Sequence, residues 1–327
     1  MQTINEYIAL AQNAVATIAC PNGRQPAGLY EPIVYGLEQG GKRLRPAILL
    51  AACEAVGGDY KKAMSQAAAI EMFHNFTLLH DDVMDRADIR RGKPTVCAKW
   101  DDNTAILSGD TMLTLATQLV VDGLNADKVL PVLKAFNETA IGVYEGQQYD
   151  MEFESRNDVT IDEYINMIRL KTSVLLAGAA RIGAIVGNAT EAQANALSQF
   201  AVNLGLAFQL QDDWLDVYGD PEVFGKAIGG DIMNNKKTFL LINAMLKATG
   251  TDKEELNFWL NNKQPYPGEK IGAVTAIYNH LQVGDICREA IDDFSAKAIE
   301  ALHSADLSAD AVAFFEAFDK MLMGRNK

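Results

Sequence analysis

The sequence predicts an all-α protein, and three observations carry that prediction. Apolar residues recur at the 3.6-residue helical period along nearly the whole chain. No convincing series of alternating strands interrupts that period. Helix-opening pairs, Thr160 with Glu163, Thr190 with Gln193 and Thr251 with Glu254, stand where helical periods begin. Across 327 residues there is no linker, fixed-period repeat or low-complexity tract. One domain over 1–327 is therefore expected, a helical bundle built around a central cavity.

Taken in order, residues 3–18 form the first expected helix, closed by PNGRQP at 21–26. A second runs from about Ala27 to Glu38 and stops at Gly40–Gly41. GGKRLRP opens the third, with Pro46 at a first-turn position, and Gly57–Gly58 end it. An Ala-rich helix from about Asp59 carries on into LLHDDVMDRADIRRGKP. Pro131 is expected to open a long helix to about Phe153 that contains GQQYD. The next helix holds RLKTSVLL, and a long one from Thr190 ends in FQLQDDWLDVYGD, stopped by Gly219 and Pro221. Thr251 caps another, QPYPG at 264–268 is a turn, and two or three helices finish the chain.

Composition narrows the function. The 49% hydrophobic content is ordinary for a chain with a sizeable core. A net charge of −14 opposes nucleic acid, whose backbone would repel it. It does not oppose an anionic substrate, because a bound Mg²⁺ reverses the local sign. Cys20, Cys53, Cys97 and Cys287 are scattered, without a CxxC pair, and read as small reduced residues. The N-terminus lacks the basic start and apolar core of a signal peptide, and no apolar run reaches the roughly 18 residues of a transmembrane segment. A cytoplasmic protein is expected.

The chemistry concentrates at Asp81, Asp82 and Asp85. At about 100° per residue, Asp85 lies roughly 40° from Asp81 and Asp82 falls in the same arc, so the three share one helix face. Alone, such a triad is more often an exposed acidic face or a dipole complement. Here apolar residues precede it, and Arg90, Arg91 and Lys93 follow, where phosphate could be gripped. Hard oxygen ligands suit Mg²⁺, which keeps waters and bridges to phosphate oxygens. The spacing returns about 130 residues later as Asp212, Asp213 and Asp216, again among apolar residues. Two such triads on two helices could face each other across a cavity and hold several Mg²⁺ ions around one pyrophosphate.

Other motifs supply positive charge. GGKRLRP brings Lys42, Arg43 and Arg45 to a helix start after two glycines, which suits an anion better than a solvated turn. Lys171 and Thr172 lie on an otherwise apolar helix, where the lysine either snorkels or meets an anion. Gln209, Lys226, Lys236 and Lys237 flank the second triad, the lysines in a glycine-rich loop that could close over phosphate. His74 lies near the first triad's face, and His80 reads as structural.

GGKRLRP, EMFHNFTLLHDDVMDRADIRRGKPT, SGD at 108–110, GQQYD, LKTS, FQLQDDWLDVYGD and GKAIGGDIMNNKKT occur in that order. With them the sequence resembles a trans-isoprenyl diphosphate synthase of the polyprenyl synthetase family, short-chain farnesyl or geranylgeranyl type. The resemblance implies the isoprenoid synthase fold, a homodimer, and two substrates: isopentenyl diphosphate and an allylic diphosphate (dimethylallyl, geranyl or farnesyl). It implies three Mg²⁺ ions, held by Asp81 and Asp85 on one side and Asp212 on the other, with Asp82, Asp213 and Asp216 in support. Arg90, Lys171, Lys226 and Lys236 would complete the grip on the allylic diphosphate. Isopentenyl diphosphate would sit on Lys42, Arg45, His74 and Arg91. The allylic cation would be flanked by the oxygens of Thr172 and Gln209. Arg325 and Lys327 resemble a basic tail that helps close the site.

An aromatic at Phe76 beside the small Thr77 resembles a chain-length pattern ending near twenty carbons, with fifteen the competitor; alternatively the floor lies on another helix. One departure is NNKKT, where many bacterial members place a glycine before the lysine. A terpene cyclase would replace the second triad and lack GGKRLRP, and a non-catalytic subunit would tend to lose a triad; neither pattern is seen.

Overall fold

The computed structural model describes residues 1–220 and 228–324. In chain order its elements begin with α1 (Ile4–Ala14), α2 (Ala27–Glu38), α3 (Leu44–Ala55) and α4 (Met64–Met84). A short hairpin of β1 (Ile89–Arg90) and β2 (Lys93–Pro94) precedes α5 (Val96–Lys99), α6 (Asp102–Val121) and α7 (Ala126–Glu154). Then come α8 (Ile161–Ile168), a π-helical turn (Arg169–Ser173), α9 (Val174–Val186) and α10 (Glu191–Tyr218). The rest is α11 (Gly230–Met233), α12 (Phe239–Lys247), α13 (Gly250–Asn261), α14 (Pro267–His280), α15 (Val283–His303) and α16 (Ala309–Met323). Packing divides the chain into two units. The first is Met1–Ala140, Leu175–Ser198 and Ser304–Phe314; the second is Ile141–Val174, Gln199–His303 and Phe315–Lys327.

In the first unit α3 is buried from Pro46 to Cys53, as a helix apolar on all sides must be. At Gly183 of α9 an added Cβ would stand 2.0 Å from the Leu49 carbonyl oxygen, so only glycine permits this crossing. α4 packs on α6, where Gly109 lies against the His80 ring, and Gln66 of α4 ties down the end of α6 by donating to the carbonyls of Val120 (3.2 Å) and Asp122 (2.9 Å). Among the described residues α6 is the helix long and apolar enough to cross a membrane by composition, yet it carries Asp102 and Asp110 and packs on α4. Phe73 of α4 meets Phe136 of α7 edge-on at 5.4 Å.

Arg43 departs from the sequence reading. The GGKRLRP motif groups it with the phosphate cations, but it is 3% exposed, in the left-handed region at φ 51°, where it caps α3. Its guanidinium donates to Glu71 (2.5 Å), to Gln12 (2.8 Å) and to the Leu37 carbonyl (2.7 Å). Arg43 thus fastens the glycine turn to α1, α2 and α4. Removing one partner strands a buried charge, so Arg43→Met should cost about 3–5 kcal/mol in chemical denaturation, and Arg43→Met with Glu71→Met appreciably less.

The second unit is centred on Tyr164, Leu210, Trp214, Leu240, Tyr278 and Cys287. Thr160 and Glu163 form the expected capping box, and in the first unit Gln193 pairs reciprocally with Thr190 at the head of α10. Two helix starts differ from expectation. α7 begins at Ala126, not Pro131; the proline sits inside it and forfeits one backbone bond in an exposed segment. α13 begins at Gly250, whose φ of 52° turns the chain into the helix before Thr251 can cap it. QPYPG turns only as far as Tyr266, since Pro267 takes the first helical position of α14.

Candidate active site

In the first unit, Asp81 and Asp82 occupy the last turn of α4 and Asp85 caps it. Carboxylates at the negative end of a helix dipole break a local rule, and such breaks concentrate at functional sites. The three are not equivalent. Asp82 is buried, and Nε and Nη2 of Arg90 both reach its Oδ1 at 2.7 Å, while Asp81 is half-buried and Asp85 exposed. Burial raises the Asp82 pKa despite the arginine beside it. Arg90 is thus placed on the buried member of the triad.

RRGKP folds as a two-residue hairpin, with Arg91 (φ 52°) and Gly92 (φ 74°) at the corner, the signs of a type I′ turn. The hairpin carries Arg91 back to the glycine turn, where it donates to the Gly40 carbonyl. Nearby, Arg45 Nη1 lies 3.4 Å from His74 Nε2, and the buried Arg45 Nε has no hydrogen-bond partner among the described residues. Burial and the charges of Arg45, Arg91, Arg90 and Arg43 hold the His74 pKa well below its usual value, so the imidazole is neutral at pH 7. Four guanidiniums act on this histidine, while the carboxylates paired with them are Glu71 and Asp82. An orphaned buried N–H inside a surplus of positive charge fits an anion. Lys42 is exposed at the same turn.

Phe76, 5% exposed, packs on Phe73 (5.5 Å) and on the ring of His80 (4.7 Å). His80 also contacts the Ile106 carbonyl at 3.1 Å. The half-buried Thr77 donates to the carbonyl of His74 at 2.8 Å.

In the second unit the π-helical turn carries Lys171 and Thr172. Gly146 of GQQYD lets that turn approach, because a Cβ there would lie 2.2 Å from the Lys171 nitrogen. Asp150, one turn further on, pairs with Lys171 Nζ at 2.5 Å. Thr172 Oγ1 donates to Gln209 Oε1 (3.2 Å), and Gln209 Nε2 donates to Asp213 Oδ1 (3.3 Å). With its nitrogen turned to Asp213, the amide presents its oxygen to Thr172. The hydroxyl of Tyr164 donates to the other oxygen of Asp213. Burial foremost, then Asp231, pushes the Asp213 pKa up to about 7 against the pull of Lys236, Tyr164 and Gln209.

Asp212 and Asp216 are half-buried, and Asp216 Oδ2 accepts the backbone N–H of Asp231 at 2.9 Å. Lys236 is exposed and its charge is felt at Asp213, whereas Lys237 Nζ turns back to the Asn235 carbonyl at 3.5 Å. Asn235 is left-handed at φ 53°, a backbone that asparagine adopts more readily than most residues other than glycine. Lys226, Arg325 and Lys327 lie outside the described residues.

Among the described residues no three His, Cys, Asp or Glu side chains converge into a protein-only metal cage. Half-buried carboxylates, one or two per ion, are what Mg²⁺ takes when phosphate and water fill the remaining positions. The donor set fits that ion. Asp150, Tyr164 and Asp231 were missed by the sequence reading. Only Asp150 had a signal, its place in GQQYD beside an unexplained lysine.

The model of the polyprenyl synthetase family matches residues 26–281. The chain belongs to the polyprenyl synthetase family. Within it, the chain is 45% identical over 229 residues to a geranylgeranyl diphosphate synthase of Methanosarcina mazei, covering 70% of this chain and 71% of that one. A crystal structure of a geranylgeranyl pyrophosphate synthase superposes with a TM-score of 0.94 at 41% identity, covering 100% of both chains. The polyprenyl synthase of Caulobacter crescentus, crystallised with calcium and isoprenyl diphosphate, superposes with a TM-score of 0.84 at 26% identity, covering 99% of this chain and 95% of that one. Such synthetases share this all-α fold.

Proposed function

We propose that the chain is a short-chain trans-prenyltransferase. It condenses isopentenyl diphosphate with a dimethylallyl, geranyl or farnesyl diphosphate, giving geranylgeranyl diphosphate foremost and farnesyl diphosphate as the competitor. The observation that carries this reading is that both aspartate motifs are intact and individually supported, Asp82 by Arg90 and Asp213 by Tyr164 and Gln209. A subunit that only regulates a partner has no use for that support.

Asp81, Asp85 and Asp212 would hold Mg²⁺, three ions in all, with Asp82, Asp213 and Asp216 behind them. The metal supplies positive charge where the leaving pyrophosphate concentrates negative charge. Lys171, steadied by Asp150, and Lys236, with Lys226 and Arg90, grip the same diphosphate. Thr172 and the oxygen of Gln209 offer negative dipole ends to the allylic cation, in an orientation that Asp213 dictates. Arg45, Arg91, Lys42 and the neutral His74 hold isopentenyl diphosphate, whose double bond attacks the cation; the departing pyrophosphate takes the proton. The enzyme works as a cytoplasmic homodimer, the usual assembly of the family.

The test is elongation. Isopentenyl diphosphate with each allylic primer and Mg²⁺ should give a product longer than the primer by mass spectrometry. EDTA should abolish turnover and excess Mg²⁺ restore it. No elongation with any primer, or cyclic hydrocarbon from an allylic diphosphate alone, overturns the proposal.

A further inference from the structure

Lys270 is a buried cation that the proposed chemistry does not use. It stands in the first turn of α14, 1% exposed, at the helix end where positive charge is disfavoured. No carboxylate meets it among the described residues. Its Nζ donates to two neutral oxygens, the Met233 carbonyl (3.0 Å) and Asn235 Oδ1 (2.7 Å). Burying an ammonium on neutral acceptors is costly, so a return is to be sought in what it holds.

What it holds is the stretch from Gly229 to Asn235 that leads into Lys236. At the near end, Asp216 accepts the N–H of Asp231 through Oδ2 (2.9 Å) and that of Gly229 through its carbonyl (2.6 Å). Gly229 lies against Ile271, the neighbour of Lys270 on α14. At the far end, Lys270 grips the last residue of α11 and Asn235, and Asn235 Nδ2 donates in turn to the Leu260 carbonyl of α13 (3.0 Å). Lys236 follows directly, its own N–H returning to the Asp231 carbonyl at 3.0 Å. A glycine at 235 would adopt the same backbone but give Lys270 no oxygen.

We propose that Lys270 and Asn235 are positioning residues for the diphosphate grip, a side-chain latch that sets where Lys236 presents its ammonium. The inference rests on the prenyltransferase reading and names a residue pair through which that site is built.

The test reads pyrophosphate binding in the presence of Mg²⁺ by calorimetry, alongside substrate kinetics. Lys270→Met keeps the stem and removes the charge; it should weaken pyrophosphate binding and raise KM for the allylic diphosphate about tenfold, as a misplaced distant contact does, with KM for isopentenyl diphosphate held within about twofold. In a Lys236→Ala background, Lys270→Met should add nothing further, because the two act through one ammonium. Asn235→Asp keeps the acceptor for Lys270 and tolerates the left-handed backbone but loses the donor to Leu260, so it should weaken pyrophosphate binding less than Lys270→Met does with Lys270 present, and more than Lys270→Met alone when the two are combined. Additive effects of Lys270→Met and Lys236→Ala, or equal rises in both KM values accompanied by a lower Tm, overturn the latch. A wild-type chain that neither elongates nor binds pyrophosphate with Mg²⁺ overturns the prenyltransferase reading instead.

Discussion

Asp81→Asn should lower turnover by about two to three orders of magnitude, the usual cost of removing one electrostatic contact made to the transition state. The fold should survive, because Asp81 is half-buried in the last turn of α4. The neighbouring Asp82→Asn should behave differently. Asp82 is 3% exposed and takes two donors of Arg90, so its loss is first a loss of stability, about 2 kcal/mol for a charge-assisted pair. Mg²⁺ titration separates them. Asp81→Asn should raise the Mg²⁺ concentration for half-maximal rate while Tm stays within a few degrees; Asp82→Asn should lower Tm and release Arg90. Turnover of Asp81→Asn within about threefold of wild type would remove Asp81 from the metal site.

That contrast marks where sequence reading reached and where it stopped. Local signals were legible: the spacing of Asp81, Asp82 and Asp85 gives a shared helix face, and the Thr160–Glu163 box is written within four residues. Partnerships were not legible, because one-dimensional spacing says nothing about what lies opposite. Lys171 meets Asp150 from 21 residues away, Tyr164 meets Asp213 from 49, and Arg43 meets Glu71 from 28. Arg43 is the instructive failure. In sequence it cannot be told from Arg45, two positions on; its left-handed backbone turns it into the protein, while Arg45 keeps an N–H unsatisfied among the described residues. The hairpin escaped because its strands are two residues long, too short for any alternation, and only the Arg91–Gly92 corner hinted at it. The π-helical turn at 169–173 has no pattern of its own, although it carries Lys171 and Thr172.

Phe76→Ala should change the product rather than stop the reaction. Phe76 precedes Asp81 by five residues, about 7.5 Å along the helix axis, so a tail growing from the triad along α4 meets this ring early. The ring is held between Phe73 and His80, and His80 is itself fixed on Ile106, so it cannot swing aside without disturbing α6. Truncation opens the position and exposes Phe73, three residues or about 4.5 Å deeper, where Phe136 backs it. The product should therefore lengthen by about one isoprene unit and stop again, and Phe73→Ala with Phe76→Ala should lengthen it further. The cavity should also cost about 3–5 kcal/mol, read as a lower melting temperature. Thr77→Phe supplies the opposite sign, since a second ring beside the first narrows the same path and should shorten the product. Identical product mass distributions in wild type, Phe76→Ala and Thr77→Phe would place the floor on another helix, because no tail running along α4 could ignore both changes.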